Sequence, residues 1–298
     1  MSRNITLDGK EVNQESKCYV IAEIGHNHQG DVEKCKKLFD EAKLSGANAV
    51  KIQKRNNKEL FTQDMYDSPY LSLNSYGATY GIHRDFLEFD LSQYKELKDY
   101  ASSIGITFFS TAFDFKSIEF LEKVDLPIYK VASGDIINTP LLKEIAKLNK
   151  PMIISTGGAS MDDVKRAYET IMPINNQLCI MQCTSGYPPS FEELNLNVIK
   201  TYMDEFNDII IGFSAHDSGI AMGLVGYVLG ARIIEKHFTL NRALKGTDHA
   251  FSLEPNGLKK LIRDLDRTHT AFGDGNKYRF SSEEAPLYKM GKKIVASR

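Results

Sequence analysis

Eight short runs rich in β-branched and other apolar residues recur along this chain, and each pair is separated by polar, helix-compatible sequence. The runs are CYVIAEIG, NAVKIQ, ITFFST, PIYKVASG, PMIISTGG, QLCIMQCTSG, DIIIGFSAH and ARIIEKH. Segments of helical period and charge lie at 31–46, 92–105, 139–150, 160–172, 218–230 and 255–273, most of them ending near Gly or Asn as helices do. Strands that alternate with helices pair in parallel. Eight such units within about 220 residues predict closure into a (β/α)8 TIM barrel. An open doubly wound sheet would show fewer strands, or a glycine-rich dinucleotide turn after the first, and neither is present.

Around this frame the chain divides into three parts. ITLDGKEV reads as two short strands about an Asp8-Gly9 turn, a hairpin over residues 1–17 that caps the bottom of the barrel. The catalytic barrel follows over 18–280, and 281–298 is expected to be a tail or linker. Residues 54–90, rich in Tyr and Asn, read as a long loop inserted after the second barrel strand, of the kind that more often serves function than not. Tyr76, Tyr80, His83 and Arg84 within it are candidates to shape a substrate pocket.

Composition excludes several classes of function. With 37 basic against 39 acidic residues there is no basic stripe for nucleic acid. No apolar run approaches the roughly 18 residues of a membrane span, and the N-terminus has no apolar core like that of a signal peptide. Four cysteines in 298 residues argue against a disulfide framework and for a reducing, cytoplasmic setting.

In a barrel of this kind chemistry sits where each strand meets its following loop, and polar residues gather at all eight such points. Lys51 and Lys130 interrupt apolar strands, where an unpaired ammonium is costly, so each requires a barrel carboxylate or an anionic ligand. Ser133, Ser155, Ser185 and Ser214, each beside a small residue at a strand end, form a repeated set of donors suited to phosphate oxygens. His216 and His237 end neighbouring strands, and two converging imidazoles suit a divalent metal such as Mn2+, Fe2+ or Zn2+. Cys179 and Cys183 share a strand face but lie about 13 Å apart; both are expected in the core. In ARIIEKHFTL, alternation turns Glu235 and His237 into the barrel mouth and Lys236 toward the helices.

IAEIGHNHQGD, VKIQ, FFSTAFD, YKVASGD, KPMIISTG, CTSGYP, IGFSAHD, EKHFTL and KGTDHAFSLEP, in that order from residue 20 to 255, resemble the sialic acid synthase family. The resemblance implies condensation of phosphoenolpyruvate with an aldose, N-acetylmannosamine or a related sugar, to give a 2-keto-3-deoxy sugar acid and phosphate. It implies His216 and His237 as ligands of a divalent metal that polarises the aldehyde, Mn2+ first, with Mg2+, Fe2+ or Co2+ as alternatives. Lys51, Thr111, Lys130, Ser133, Ser155, Ser185 and Ser214 would bind phosphoenolpyruvate. Glu23, Gln53, Tyr187 and Asp248 would face the sugar, with Glu23 handling its hydroxyl protons, and Asp135 or Glu235 would activate water. A homodimer is expected, since relatives dimerise.

The chain also departs from the family. Many relatives continue into a C-terminal antifreeze-like domain, of which KKIVASR resembles only the beginning of the linker. Asp135 stands where many have glutamate, and Ser185 where some have asparagine. Two rival readings remain at this level, a metal-dependent sugar-acid lyase or aldolase of the same fold and a non-catalytic sugar-binding relative.

Overall fold

The computed structural model describes residues 3–291. A two-stranded hairpin, β1 (Asn4–Leu7) and β2 (Lys10–Asn13), precedes eight strands: β3 (Tyr19–Gly25), β4 (Ala49–Lys54), β5 (Thr107–Ala112), β6 (Tyr129–Val131), β7 (Met152–Ser155), β8 (Leu178–Cys183), β9 (Ile210–Ala215) and β10 (Ile233–His237). The eight are parallel, each beside its sequence neighbour, and β10 closes on β3. The (β/α)8 barrel predicted from the alternation is the fold of the chain.

Strand alternation sorts the apolar residues onto two faces. Val20, Ala22 and Ile24 of β3 join the layer between barrel and helices, whereas Tyr19 and Ile21 enter the barrel interior. That interior is apolar only at its N-terminal end, where Phe109, Ile153, Met181 and Ile233 meet Ile5, Leu7 and Val12 of the hairpin. The hairpin therefore plugs the bottom of the barrel. Its turn has positive φ at Asp8 (50°) and Gly9 (77°), as a two-residue turn matched to strand twist requires. Thr107 Oγ1 donates to Asp8 Oδ2 at 2.9 Å, and Arg232 Nε to the Gln14 carbonyl at 2.7 Å, which ties the plug to the barrel.

One step higher the inward positions change character. Glu23, Lys51, Thr111, Lys130, Ser155, Ser214 and Glu235 are all buried there. β3 also carries a register shift against β4 between Glu23 and Gly25. Such bulges re-aim a strand, and they concentrate near active sites.

Two outer helices, Phe115–Val124 and Val198–Glu205, went unflagged by period. Val198–Glu205 buries only Ile199 and Tyr202, too little for a visible stripe. The region 54–90 is not a bare loop but holds helices Asn57–Leu60, Gln63–Asp67 and Tyr80–Phe86, the latter two capped by Thr62 and Thr79. Within the expected tail, Ser281–Met290 forms a helix, and 292–298 lie outside the described residues. Among the described residues no helix is long and apolar enough to cross a membrane.

Candidate active site

The C-terminal ends of all eight barrel strands line a cavity of about 520 Å³. On its floor the two lysines, alike in sequence, are in different situations. Lys51 Nζ lies 2.7 Å from Glu23 Oε2 and 3.6 Å from Glu235 Oε1, and donates to Thr111 Oγ1 at 2.9 Å. Lys130 Nζ donates to the Val131 carbonyl at 2.9 Å and to Ser155 Oγ at 2.5 Å, with no carboxylate partner among the described residues. Burial pushes its pKa down. An ammonium 2% exposed, with Glu235 acting on it only at a distance and no direct ion pair among the described residues, is suited to an anion from outside the chain.

The hydroxyls stand around it. Ser133 Oγ accepts from the Gly157 amide at 2.9 Å, and Ser155, Ser185 and Ser214 line the same wall. The approach is possible because residue 157 has no side chain: a Cβ there would come 2.1 Å from Ser185 Oγ and 2.9 Å from Ser133 Oγ. A lysine ammonium and several hydroxyls gathered in this way are donor types that suit an anionic oxygen group.

The carboxylates flanking Lys51 separate in proton affinity. Burial raises the pKa of Glu23. Glu235 is also desolvated, but Lys51, Lys130 and two imidazoles hold it below the usual carboxylate range. Glu23 Oε1 accepts from Gln53 Nε2 at 2.7 Å, and Gly25, at φ 53°, leaves the room: a Cβ there would lie 3.3 Å from both atoms and 3.5 Å from Asp248 Oδ2.

His216 and His237 meet edge to face with ring centroids 5.3 Å apart. His216 Nδ1 lies 3.0 Å from the Thr184 carbonyl, which selects the tautomer protonated at Nδ1 and leaves Nε2 a free lone pair. Against burial, which lowers its pKa, contacts with Cys183 and Thr184 hold His216 above its ordinary value. Burial pushes His237 down to about 3, so its ring is neutral, and its Nδ1 is a buried atom with no hydrogen bond, Asp248 Oδ2 being 3.7 Å away. Two converging imidazoles, that of His237 neutral and with an orphaned Nδ1, fit a divalent metal of borderline softness. Tyr187 stacks on His216 at 4.4 Å between centroids, and Phe251 backs His237 at 4.9 Å.

The upper wall is cationic. His26 lies between two guanidiniums, Arg55 Nη1 at 3.1 Å from Nε2 and Arg84 Nη1 at 3.3 Å from Nδ1. Burial first, then the two arginines, keeps its pKa well below the ordinary histidine value.

Of the residues singled out in the sequence, Glu23, Lys51, Gln53, Thr111, Lys130, Ser133, Ser155, Ser185, Tyr187, Ser214, His216, Glu235, His237 and Asp248 all line this one cavity. Asp135 does not; it is half-buried at the end of the 3-10 turn Ser133–Asp135, and burial raises its pKa to about 6. Cys183, expected in the core with Cys179, is in the cavity wall with Sγ 3.9 Å from His216 Nδ1. Lys236 does turn away, to an ion pair of 3.0 Å with Asp217. Of the four insertion residues only Arg84 reaches the cavity. His26, Arg55 and Gly157 were missed. Continuing the alternation Lys51, Gln53, Arg55 along β4 would have found the second of them.

The sequence matches the NeuB family over residues 38–277. It is 43% identical over 288 residues to N-acetylneuraminate-9-phosphate synthase of Mus musculus, covering 97% of this chain and 80% of the mouse protein. The Homo sapiens protein of the same name is 42% identical, with the same coverage. Among solved structures, the N-acetylneuraminic acid (sialic acid) synthetase from Leptospira borgpetersenii serovar Hardjo-bovis superposes with a TM-score of 0.84 at 30% identity, over 98% of each chain.

Proposed function

The chain belongs to the NeuB family, that of the sialic acid synthases, and on that premise we propose that it joins phosphoenolpyruvate to an acylamino aldose, N-acetylmannosamine or a related sugar. The observation that carries the reading is Lys130, buried with no direct ion pair among the described residues, hydrogen-bonded to Ser155 and lining the same cavity as the paired imidazoles. A sugar-acid lyase would need the metal site but not this anion cradle.

The products are a 2-keto-3-deoxy sugar acid and inorganic phosphate. A carbon-carbon bond forms between the methylene carbon of phosphoenolpyruvate and the aldehyde carbon, whose oxygen takes up a proton and becomes a hydroxyl. Water adds at the cationic enol carbon, and collapse breaks the carbon-oxygen bond to phosphate, leaving the ketone. Lys130, with Ser133, Ser155, Ser185 and Ser214, binds the phosphate and stabilises it as it departs. Lys51, already balanced by Glu23 and Glu235, is suited to the carboxylate end with Thr111. Glu23, held by Gln53, serves the sugar hydroxyls beside Tyr187 and Asp248. Glu235 is the base for the water in preference to Asp135, which is outside the cavity lining. His216 and His237 would hold a divalent cation, Mn2+ first, supplying Lewis-acid polarisation of the aldehyde. A homodimer in the cytoplasm is the expected setting, consistent with four unpaired cysteines.

Purified protein supplied with phosphoenolpyruvate, Mn2+ and a panel of acylamino aldoses, free and phosphorylated, is expected to release one phosphate per 2-keto acid formed. Absence of release with every sugar overturns the reading.

A further inference from the structure

Lys236 is outside the cavity lining, yet the chain itself joins it to the paired imidazoles. Alternation turns it to the layer between barrel and helices, where β9 and β10 otherwise place Phe213, Ala215 and Ile234. There it is 1% exposed, and its ion pair is with Asp217, also 1% exposed. Lys236 immediately precedes His237, and Asp217 immediately follows His216. The ion pair therefore connects the neighbours of the two imidazoles across 19 positions of the chain.

The connection falls where the sheet stops. β9 pairs with β10 as far as Ala215 and Lys236, and with β8 only as far as Ser214, so His216 and Asp217 lie past the last rung on both sides. His237 is still within β10, in register with Glu23, and its carbonyl accepts from the Leu253 amide at 2.8 Å. His216 has no such ladder. Its ring is held at Nδ1 by the Thr184 carbonyl, and the main chain beside it by Lys236, whose Nζ donates to the Asp217 carbonyl at 2.5 Å and to Asp217 Oδ1 at 3.0 Å.

A buried ion pair is weak evidence of stability, because two well-packed apolar side chains in its place often serve as well or better. What apolar side chains cannot do is bond a carbonyl, and so replace the rung that the sheet lacks. Spacing also matters more here than in a fuller set of ligands. Among the described residues no group of three or more His, Cys, Asp or Glu side chains is gathered for a metal, so no third chain ligand fixes one ring against the other. We propose that Lys236 and Asp217 are positioning residues of the two-imidazole centre, a brace behind the barrel mouth that fixes His216 relative to His237 and thereby sets the affinity for the divalent cation. The proposal rests on the metal reading above.

The test is the affinity of the purified protein for Mn2+, measured by isothermal titration calorimetry, with denaturant unfolding of the metal-free protein alongside. Lys236→Met strands the Asp217 carboxylate and should lose both stability and Mn2+ affinity. Lys236→Met combined with Asp217→Leu leaves no unpaired charge, and should unfold near the wild-type denaturant midpoint. It should nevertheless bind Mn2+ at least about 10-fold more weakly, the lower end of the loss when groups that orient metal ligands are removed. Asp217→Asn, whose amide oxygen still accepts from Lys236, should restore most of that affinity. If Lys236→Met fails to fold, the double variant carries the test alone. A double variant that binds Mn2+ as tightly as wild type shows a merely structural pair, which overturns the proposal and leaves the metal reading standing. If His216→Ala binds Mn2+ as tightly as wild type, the two-imidazole centre is itself wrong and the proposal falls with it.

Discussion

At the scale of single residues, the site turns on differences that residue type does not express. Lys51 and Lys130 both interrupt apolar strands, yet one lies directly against two glutamates and the other makes no direct ion pair among the described residues. The same holds for glycine. Gly157 is one of two adjacent glycines after β7, but it alone stands where a methyl group would strike Ser185 and Ser133. Gly157→Ala should therefore displace those hydroxyls and raise the KM for phosphoenolpyruvate at least about 10-fold, the loss of roughly one or two hydrogen bonds to a charged group. Steady-state kinetics against phosphoenolpyruvate check this; an unchanged KM would show that the serine ring is not where the phosphate binds. The serines and histidines were legible because each ends a strand run. Cys183 was not, because its contact with His216 depends on where two strands come to rest.

At the scale of elements, the N-terminal hairpin and the β3 bulge carry the structural burden at opposite ends of the barrel. The hairpin was readable from Asp8-Gly9 between alternating residues, and so was its place at the bottom. Leu7, fully buried inside the barrel, holds it there. Leu7→Ala should lower stability by about 3 kcal/mol without moving the KM for phosphoenolpyruvate, since the cavity lies at the other end of the strands. Denaturant unfolding alongside the same kinetic assay tests both halves of that statement. The bulge at Gly25 had no comparable signal. EIGHNH reads as a strand end, and only the pairing of Gly25 with Ile52 instead of the next residue in register shows the extra residue. The inserted helices were hidden for a related reason: they are four to seven residues long, and so too short to display a period.

At the scale of the whole molecule, stability and chemistry occupy different ends of one closed sheet. The apolar lower interior needs no ligand to hold it together, and the two imidazoles sit on the rim above it. Removal of metal with EDTA is thus expected to abolish phosphate release while leaving the far-UV circular dichroism unchanged, with activity restored by Mn2+; unfolding on chelation would contradict this division. A net charge of −2 coexists with a cavity that gathers Lys51, Lys130, Arg55 and Arg84. The average hides the local field that an anionic substrate would meet.

The sequence by itself determined the eightfold alternation, the parallel barrel it closes into, the hairpin beneath it and the polar character of every strand end. Each of these is a local pattern, repeated every two or every three to four residues, and it survives without knowledge of what lies across the barrel. Tertiary structure decided which polar groups meet: Glu23 with Lys51, Cys183 with His216, and Arg55 with Arg84 around His26. Those pairings depend on distances of a few ångström between residues up to 58 positions apart, set by strand register and barrel closure, and no periodicity along the chain encodes them.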